Sequence, residues 1–250
     1  MKIYFSTLLL LLLMCKVGFT QKQIATQYGS WYNYAGTVQL TDKLGLTTLY
    51  SWRRADFIQQ WQQSLFRIGV NYKLNDAVTF TPGYDWALTY PYGEQAVAAP
   101  FNEHRIFEQV GIKTNFGRFY VDHRYRYEQR FLESTSYNAD HDRISAGYHF
   151  RQRLRYQLSI TVPINHKKLE DNTFFVKVSD EAFMNIGKGT ALNSFDQNWY
   201  NASIGFRFHK DFNATIGYQN QFIIKGDGLH MERNHLLNVG VTYNFDFRKK

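Results

Sequence analysis

The stretch from Arg118 to Phe131 reads Arg-Phe-Tyr-Val-Asp-His-Arg-Tyr-Arg-Tyr-Glu-Gln-Arg-Phe, and its side chains alternate in character. One face carries Arg118, Tyr120, Asp122, Arg124, Arg126, Glu128 and Arg130. The other face carries Phe119, Val121, His123, Tyr125, Tyr127, Gln129 and Phe131. Successive side chains point to opposite faces in a β-strand. The stretch therefore predicts a strand with one ionic face and one largely aromatic face.

The same period of two recurs along most of the chain. It is found in residues 66–73, 78–90, 106–113, 143–164, 174–184, 200–208, 216–222 and 237–247. Blocks of about ten alternating residues, separated by turn-forming residues, are typical of a transmembrane β-barrel. The connectors also alternate between short ones, such as Asn75-Asp76, and longer ones, such as 91–102. We therefore predict an all-β protein with a transmembrane antiparallel up-and-down β-barrel.

The number of strands depends on how residues 143–164 are divided. They keep one alternation and form either one long strand or two strands that turn near Arg151-Gln152-Arg153. That triplet lacks Gly, Asn, Asp and Pro, so we favour one long strand. This gives about eleven strands, whereas bacterial barrels have even numbers. A further short strand near residues 22–28 would make the number of strands even, so we predict about twelve strands, with ten as the alternative.

The N-terminus has the pattern of a signal peptide. Lys2 is followed by a mostly apolar run from Ile3 to Cys15, and small residues near position 20 suit cleavage before Gln21. The run is short for a membrane-spanning helix, which argues against a permanent anchor. We predict a cleaved signal peptide at 1–20 and a single barrel domain at 21–250. The expected location is the outer membrane of a Gram-negative bacterium.

Composition excludes several other classes. The only cysteine, Cys15, lies in the predicted signal peptide, so the mature chain has no disulfide and no thiolate metal site. The formal net charge of +8 could favour binding to nucleic acid. Two features argue against it: an exported protein rarely meets nucleic acid, and the arginines are spread along strand faces and do not form one patch. The chain has no second stretch of about 18 apolar residues, so we predict no helix that spans a membrane. We predict no cofactor, no metal site and no nucleic-acid partner.

In a barrel of this size, side chains facing inward can fill much of the lumen. The charged residues predicted to face inward as a network are Glu103, Arg105, Asp122, Arg124, Arg126, Glu128, Arg130, Arg151, Arg153, Arg155 and Glu181. Because unpaired buried charge is expensive, we expect an arginine–carboxylate network. Two interpretations stay open: a structural filling of the lumen, or a constriction that attracts small anionic solutes because arginines are in excess.

An enzyme is the less favoured alternative. Some outer-membrane barrels hydrolyse lipids with a Ser–His pair at the rim. The candidates here are His104, His123 and His141 with Ser134 and Ser136. No spacing singles out a nucleophile and its base, so we predict no catalytic site. The expected partners are outer-membrane lipid and the barrel-insertion machinery, since residues 237–247 end in spaced aromatics that resemble the insertion signal.

Several segments resemble a known exported bacterial family, catalogued as domain of unknown function number 2490. They are Glu103-His-Arg-Ile-Phe-Glu-Gln109, Arg124-Tyr-Arg-Tyr-Glu-Gln-Arg-Phe131, Arg153-Leu-Arg-Tyr156, Ser179-Asp-Glu-Ala-Phe-Met-Asn185 and Phe195-Asp-Gln-Asn198. Trp199 stands where the family pattern has Arg. The resemblance spans nearly the whole mature chain and implies an outer-membrane β-barrel. It implies no activity and no catalytic residues.

Overall fold

A computed structural model of the protein describes residues 22–188 and 193–248, and the predicted signal peptide lies outside the described residues. The described chain forms eleven strands. They are β1 (Gln23–Gln39), β2 (Leu44–Ala55), β3 (Gln60–Lys73), β4 (Val78–Thr89), β5 (Phe101–Phe116), β6 (Phe119–Tyr137), β7 (Arg143–Pro163), β8 (Thr173–Ile186), β9 (Phe195–His209), β10 (Phe212–Ile224) and β11 (His230–Asp246). Within these ranges no helix has the length and hydropathy needed to cross a membrane.

The strands close into one barrel in which each strand pairs with its neighbours in sequence. All pairs are antiparallel except the closing pair, β1 with β11, which is parallel from Gln23 opposite His230 to Gln39 opposite Asp246. The prediction of twelve strands, with ten as the alternative, is therefore wrong. Residues 23–28 form the beginning of β1 and no separate strand. With an odd number of strands, the first and last run in the same direction and must pair in parallel.

The prediction of one long strand at 143–164 is confirmed by β7, Arg143–Pro163. Connections at one end of the barrel, called the turn end, are 40–43, 74–77, 117–118, 164–172 and 210–211. Connections at the other end, called the loop end, are 56–59, 90–100, 138–142, 187–194 and 225–229. The turn-end connections have two to four residues, apart from the nine-residue connection 164–172, and the loop-end connections have four to eleven, so the predicted asymmetry holds in part. The exception at the loop end is the connection predicted as a longer one at 55–61, which has only the four residues 56–59. Strands β6 and β7 are the longest and extend furthest at the loop end.

The barrel is polar inside and apolar outside. Strand β3 illustrates the alternation: Phe66 and Ile68 are 41% and 39% exposed on the outer surface, whereas Arg67 between them is 9% exposed. Among the described residues that are buried, 23 are polar or charged and 11 are hydrophobic. A protein that folds in water has the opposite distribution. The pleat of the strands thus turns the period of two in the sequence into two chemically distinct surfaces.

Candidate functional site

Ion pairs inside the barrel join into one connected cluster, called the lumen network. Its members come from the seven consecutive strands β3 to β9, or from their ends. They are Arg67, Asp85, Glu103, Arg105, Arg124, Arg126, Glu128, Arg130, Arg153, Arg155, Glu181 and Asp196. The register explains the arrangement, since Arg67 lies opposite Asp85, and Glu128 lies opposite Arg153. Directly opposed side chains on one face are the closest cross-strand neighbours.

Glu128 is the centre of the network. Its carboxylate is fully buried and accepts hydrogen bonds from two arginines of the next strand. Arg153 donates from Nε and Nη2 at 2.9 and 2.6 Å, and Arg155 donates from Nη1 at 2.6 Å. Arg126 Nη1 lies 3.7 Å from the same carboxylate. A carboxylate removed from water in this way is stable only because several guanidinium groups surround it.

The other carboxylates extend the network on both sides of Glu128. Asp85 accepts two hydrogen bonds from Arg67, at 2.6 and 2.7 Å. Glu103 accepts two from Arg105, both at 2.7 Å, and one from Arg130 at 2.5 Å. Such paired contacts match the planar fork of arginine to the two carboxylate oxygens.

On the opposite flank, Glu181 accepts hydrogen bonds from Arg155 and Arg124, each at 2.8 Å. Asp196 accepts one from Arg153 at 2.9 Å. Every carboxylate of the network is therefore paired with at least one arginine. The network contains seven arginines and five carboxylates, so pairing leaves it with an excess of positive charge.

Two phenylalanines serve as platforms for the arginines. Arg126 and Arg67 lie 4.2 and 5.4 Å from the Phe107 ring centre, and Arg155 and Arg153 lie 4.3 and 5.1 Å from that of Phe183. Both rings are buried inside the barrel. A cation over an aromatic face is attracted electrostatically, most strongly where water is excluded. These platforms restrict the guanidinium planes and stiffen the network.

Gly83 makes room for the first platform. The Phe107 ring packs directly over the backbone of Gly83, and a side-chain carbon at position 83 would collide with the ring. Glycine within a strand commonly marks such a close approach. The local sequence thus explains how a large ring fits flat against the inner wall of the barrel.

The wall made by β10, β11, β1 and β2 has different chemistry. Its inner surface carries a row of amides, called the amide wall: Asn33, Gln219, Gln221, Asn234 and Asn238. Asn33 donates to Asn238 at 3.0 Å, and Asn238 donates to Gln219 at 2.6 Å. Asn234 donates to Gln221 at 3.0 Å. This wall satisfies its polar groups mostly with neutral hydrogen bonds.

Arg53 reaches from β2 along the amide wall. Its guanidinium lies 3.9 Å from the ring centre of Trp31 and 5.3 Å from that of Trp199. It donates to Ser51 Oγ at 3.1 Å and to Gln63 Oε1 at 2.7 Å. In the described part of the chain, no carboxylate lies within 4 Å of this guanidinium. Arg53 is thus a lumen cation outside the lumen network.

A cavity of about 790 Å³ runs along the lumen between the network and the amide wall. Ten cationic side chains line it: Arg53, Arg67, Arg105, Arg124, Arg130, Arg153, Arg155, Lys177, Arg207 and Lys210. Only two carboxylates line it among the described residues, Glu103 and Glu181, and both are already paired with arginines. Six of the ten cations are arginines of the lumen network and are paired with its carboxylates. The other four, Arg53, Lys177, Arg207 and Lys210, form no ion pair with described residues, so the cavity has an excess of positive charge.

The loop-end mouth is partly covered by the connection 90–100 between β4 and β5. Tyr92 donates from its hydroxyl to Glu232 on β11 at 2.9 Å. Lys225 binds the same carboxylate at 2.5 Å and donates to the carbonyl of Gln95 at 3.4 Å. The loop therefore reaches from β4 to the opposite wall and narrows this entrance.

The turn-end mouth is narrowed by the connection 164–172. The backbone N–H of Leu169 donates to the Tyr120 hydroxyl at 3.1 Å, and Arg207 donates to the Leu169 carbonyl at 2.9 Å. Leu169 lines the main cavity and also a second cavity of about 470 Å³. Because Tyr120 and Arg207 lie on β6 and β9, the connection folds inward across the mouth.

Nine of the eleven residues predicted as a charged lumen group lie in the network: Glu103, Arg105, Arg124, Arg126, Glu128, Arg130, Arg153, Arg155 and Glu181. Asp122 lies apart, lining the second cavity near the turn end. Arg151 forms no ion pair with any described residue. The sequence argument missed Arg53, Arg67, Asp85 and Asp196. The first three could have been included, because each lies on the polar face of an alternating strand.

The histidines proposed for a hydrolase do not contact the proposed serines. His104 pairs with the Tyr84 hydroxyl at 2.5 Å, and His123 pairs with the Tyr156 hydroxyl at 2.9 Å, both on the outer surface. Ser134 instead contacts His149 Nδ1 at 3.1 Å. Within the described ranges, no carboxylate orients the other ring nitrogen of His149.

The described residues also contain no group of three or more metal-binding side chains. The main chemical feature of the described chain is the excess of positive charge in its lumen.

Comparison with known proteins gives two matches. A family model described as protein of unknown function (DUF2490) matches residues 28–232. A solved structure of the NanC porin matches with a TM-score of 0.46 and 13% identity, covering 85% of this chain and 96% of the porin chain. No curated protein matches the sequence.

Proposed function

The chain belongs to the DUF2490 family of unknown function, and from its lumen we propose that it is an outer-membrane β-barrel that admits small anionic solutes under restriction. The observation that carries this proposal is the charge of the main cavity, whose lining has ten cationic side chains, four of them without an ion pair among the described residues, and two paired carboxylates. Rings of arginine and lysine are the usual means by which pores attract anions.

The outer surface supports the membrane part of the proposal. Phe66, Ile204 and Ile216 are 41%, 56% and 56% exposed, and similar side chains surround the barrel. Such a surface is unfavourable in water but suits a lipid bilayer, and closure leaves no unpaired strand edge. We propose that the chain is exported by its signal peptide to a Gram-negative outer membrane. Its partners would be outer-membrane lipid and the barrel-insertion machinery.

The two covered mouths support restricted passage. The loop 90–100 and the connection 164–172 each fold inward, and the lumen network occupies the space between them. A solute would have to pass beside a network with two more arginines than carboxylates and beside the unpaired cations of the cavity, and so would meet a positive potential. This potential raises the local concentration of anions and excludes cations. The network thus both stiffens the barrel and selects by charge.

The barrel is proposed to be non-enzymatic. A lipid hydrolase is the alternative, and the contact of Ser134 with His149 is the observation that would favour it. A nucleophile and base need a third group that orients the base, and the described chain offers none at His149. Phospholipid hydrolysis by the purified protein that disappears in Ser134→Ala would overturn this part of the proposal.

The test is the reversal potential of the purified protein in a planar bilayer under a salt gradient. We expect anion-selective current. Lys177→Gln combined with Lys210→Gln should reduce the selectivity, because both lysines line the cavity near the turn end. Lys43→Gln is the matched control, since Lys43 lies in an exposed turn outside the cavity.

The lysine variants keep the lumen network intact and so avoid a loss of folding. Cation-selective current in the native barrel would contradict the proposal. So would a reversal potential that shifts equally in the double variant and in the Lys43→Gln control. If the folded barrel carried no current, the proposal that anions pass through it would be overturned. The protein would then be better described as a closed structural barrel.

A further inference from the structure

We propose that Arg53 and the amide wall form a binding site for a small hydroxylated carboxylate, with Arg53 holding the carboxylate and the amides holding hydroxyl groups. The inference rests on the proposed function in one respect, that anions enter the lumen. It adds a location, a chemical class of ligand and the residues that recognise it.

Arg53 differs from the arginines of the lumen network because it has no negative partner. Its described hydrogen bonds go to Ser51 and Gln63, which are neutral, through Nε and Nη1. No partner for Nη2 is found in the described chain. Carboxylate is the group that matches the planar fork of arginine, and a bound carboxylate would also neutralise the charge. Each of the seven arginines of the lumen network, by contrast, already pairs with a carboxylate of the protein.

Two tryptophans hold the Arg53 side chain in position. Its guanidinium lies over Trp31 at 3.9 Å and near Trp199 at 5.3 Å, and the two rings meet edge to face at 5.1 Å. Trp31 is itself fixed by donating to Gln62 at 2.7 Å. A guanidinium fixed before binding loses less conformational freedom when a ligand arrives. The site is therefore preorganised for an anion.

A second observation, independent of Arg53, is an amide N–H group of Gln219 without a hydrogen-bond partner in the described structure. Gln219 is 5% exposed and lines the main cavity, yet its Nε2 has no hydrogen-bond partner in the described structure. A buried donor without a partner is costly, and a ligand oxygen would remove that cost. Gln219 lies on β10, between β9 with Trp199 and β1 with Trp31 in the order of strands. Asn238 on β11 lies between the same two tryptophans.

The chemistry of this wall points to hydroxyl groups as the second feature of the ligand. Amides both donate and accept, as hydroxyls do, so a polyhydroxylated skeleton can exchange bonds with Gln219, Asn238 and Asn33. The cavity of about 790 Å³ has the volume of typical small-molecule sites. A carboxylate without hydroxyls would use only Arg53, and a neutral polyol would use only the amides.

The experiment measures binding without requiring passage. Purified barrel in detergent is titrated with gluconate, acetate and sorbitol, following heat of binding and tryptophan fluorescence, because Trp31 and Trp199 adjoin the site. We expect gluconate to bind more tightly than acetate or sorbitol and to change the emission. Arg53→Gln should weaken gluconate binding about tenfold or more, as loss of a charged hydrogen-bonding group predicts. Arg53→Lys should weaken it less, because charge remains while the fork is lost.

Matched variants distinguish binding of gluconate at this site from a general attraction of anions by the positive charge of the lumen. Arg151→Gln removes one inward arginine of the opposite wall that has no ion pair with described residues, and it should leave gluconate binding unchanged within about twofold. Gln219→Ala should weaken binding of gluconate but leave binding of acetate unchanged. These two variants do not touch the lumen network and so should fold as the native protein does.

Several results would overturn the proposal. These are an Arg151→Gln effect as large as that of Arg53→Gln, equal affinity for acetate and gluconate, or a gluconate titration without heat or fluorescence change. In the last case, anion-selective current in bilayers would show that the proposed function stands without this site. Conversely, gluconate binding in a barrel that conducts no current would support the site while overturning passage.

Discussion

The two arcs of the barrel wall provide different partners for their buried polar groups. The ionic arc, β3 to β9, carries the lumen network, in which charged groups pair with charged groups across neighbouring strands. The inner surface of the amide arc, β10, β11, β1 and β2, carries neutral amides that bond to one another, together with Arg53, which stacks on Trp31. The cavity lies between the two arcs, so a solute inside would touch both.

The difference shows why the two interpretations of the lumen charge are compatible. Paired arginines such as Arg153 and Arg155 are committed to Glu128 and act as a structural filling. Cations without a carboxylate, such as Arg53 and Lys177, supply the excess charge. Because breaking a buried pair exposes an uncompensated charge, the ionic arc tolerates little change. The amide arc has weaker bonds and can exchange them with a ligand.

The largest expected effect is loss of the centre of the ionic arc. Glu128→Gln removes the charge that holds Arg153 and Arg155, and we expect the free energy of unfolding to fall by about 3–5 kcal/mol. Urea unfolding of the barrel in detergent, followed by the gel shift between folded and boiled protein, measures it. Glu108→Gln is the matched control, because Glu108 faces outward and forms no ion pair with described residues. Similar losses in both variants would contradict the central role of Glu128.

A smaller effect is expected where the loop 90–100 ties the two arcs together. Tyr92→Phe removes the hydrogen bond to the Glu232 carboxylate, a contact worth about 1.5–3 kcal/mol. The loop should detach more often, which would raise single-channel conductance and speed proteolysis within 90–100. Tyr90→Phe serves as the control, since no partner of the Tyr90 hydroxyl is found in the described chain. Unchanged cleavage and conductance in Tyr92→Phe would mean that the loop is held by other contacts.

The smallest effect is expected in the amide arc. Asn234→Ala removes one neutral hydrogen bond to Gln221, so unfolding should become easier by only about 1 kcal/mol. The same urea measurement applies, with Asn213→Ala as control because Asn213 lines the cavity without a described hydrogen bond. If Asn234→Ala cost as much stability as Glu128→Gln, the distinction between a rigid ionic arc and an adaptable amide arc would fail.

Much of the fold could be predicted because alternation is a local property. Residues 118–131 and 143–163 show their period in the sequence itself, and the strands follow it. Nine of the predicted lumen residues meet in the network for the same reason, because every second residue of a strand faces inward. The number of strands was predicted wrongly, because it depended on a rule about even barrels. The chain instead closes by a parallel pair of β1 and β11.

The sequence by itself determined which side chains face inward, since a pleated strand sends every second residue to the same surface. Only the tertiary structure decided which charges meet. Asp196 reaches Arg153 because of how β7, β8 and β9 are registered, and Arg53 reaches Trp199 because closure brings β2 and β9 within reach across the lumen. Register and closure are properties of the whole sheet, so no period along one strand encodes them.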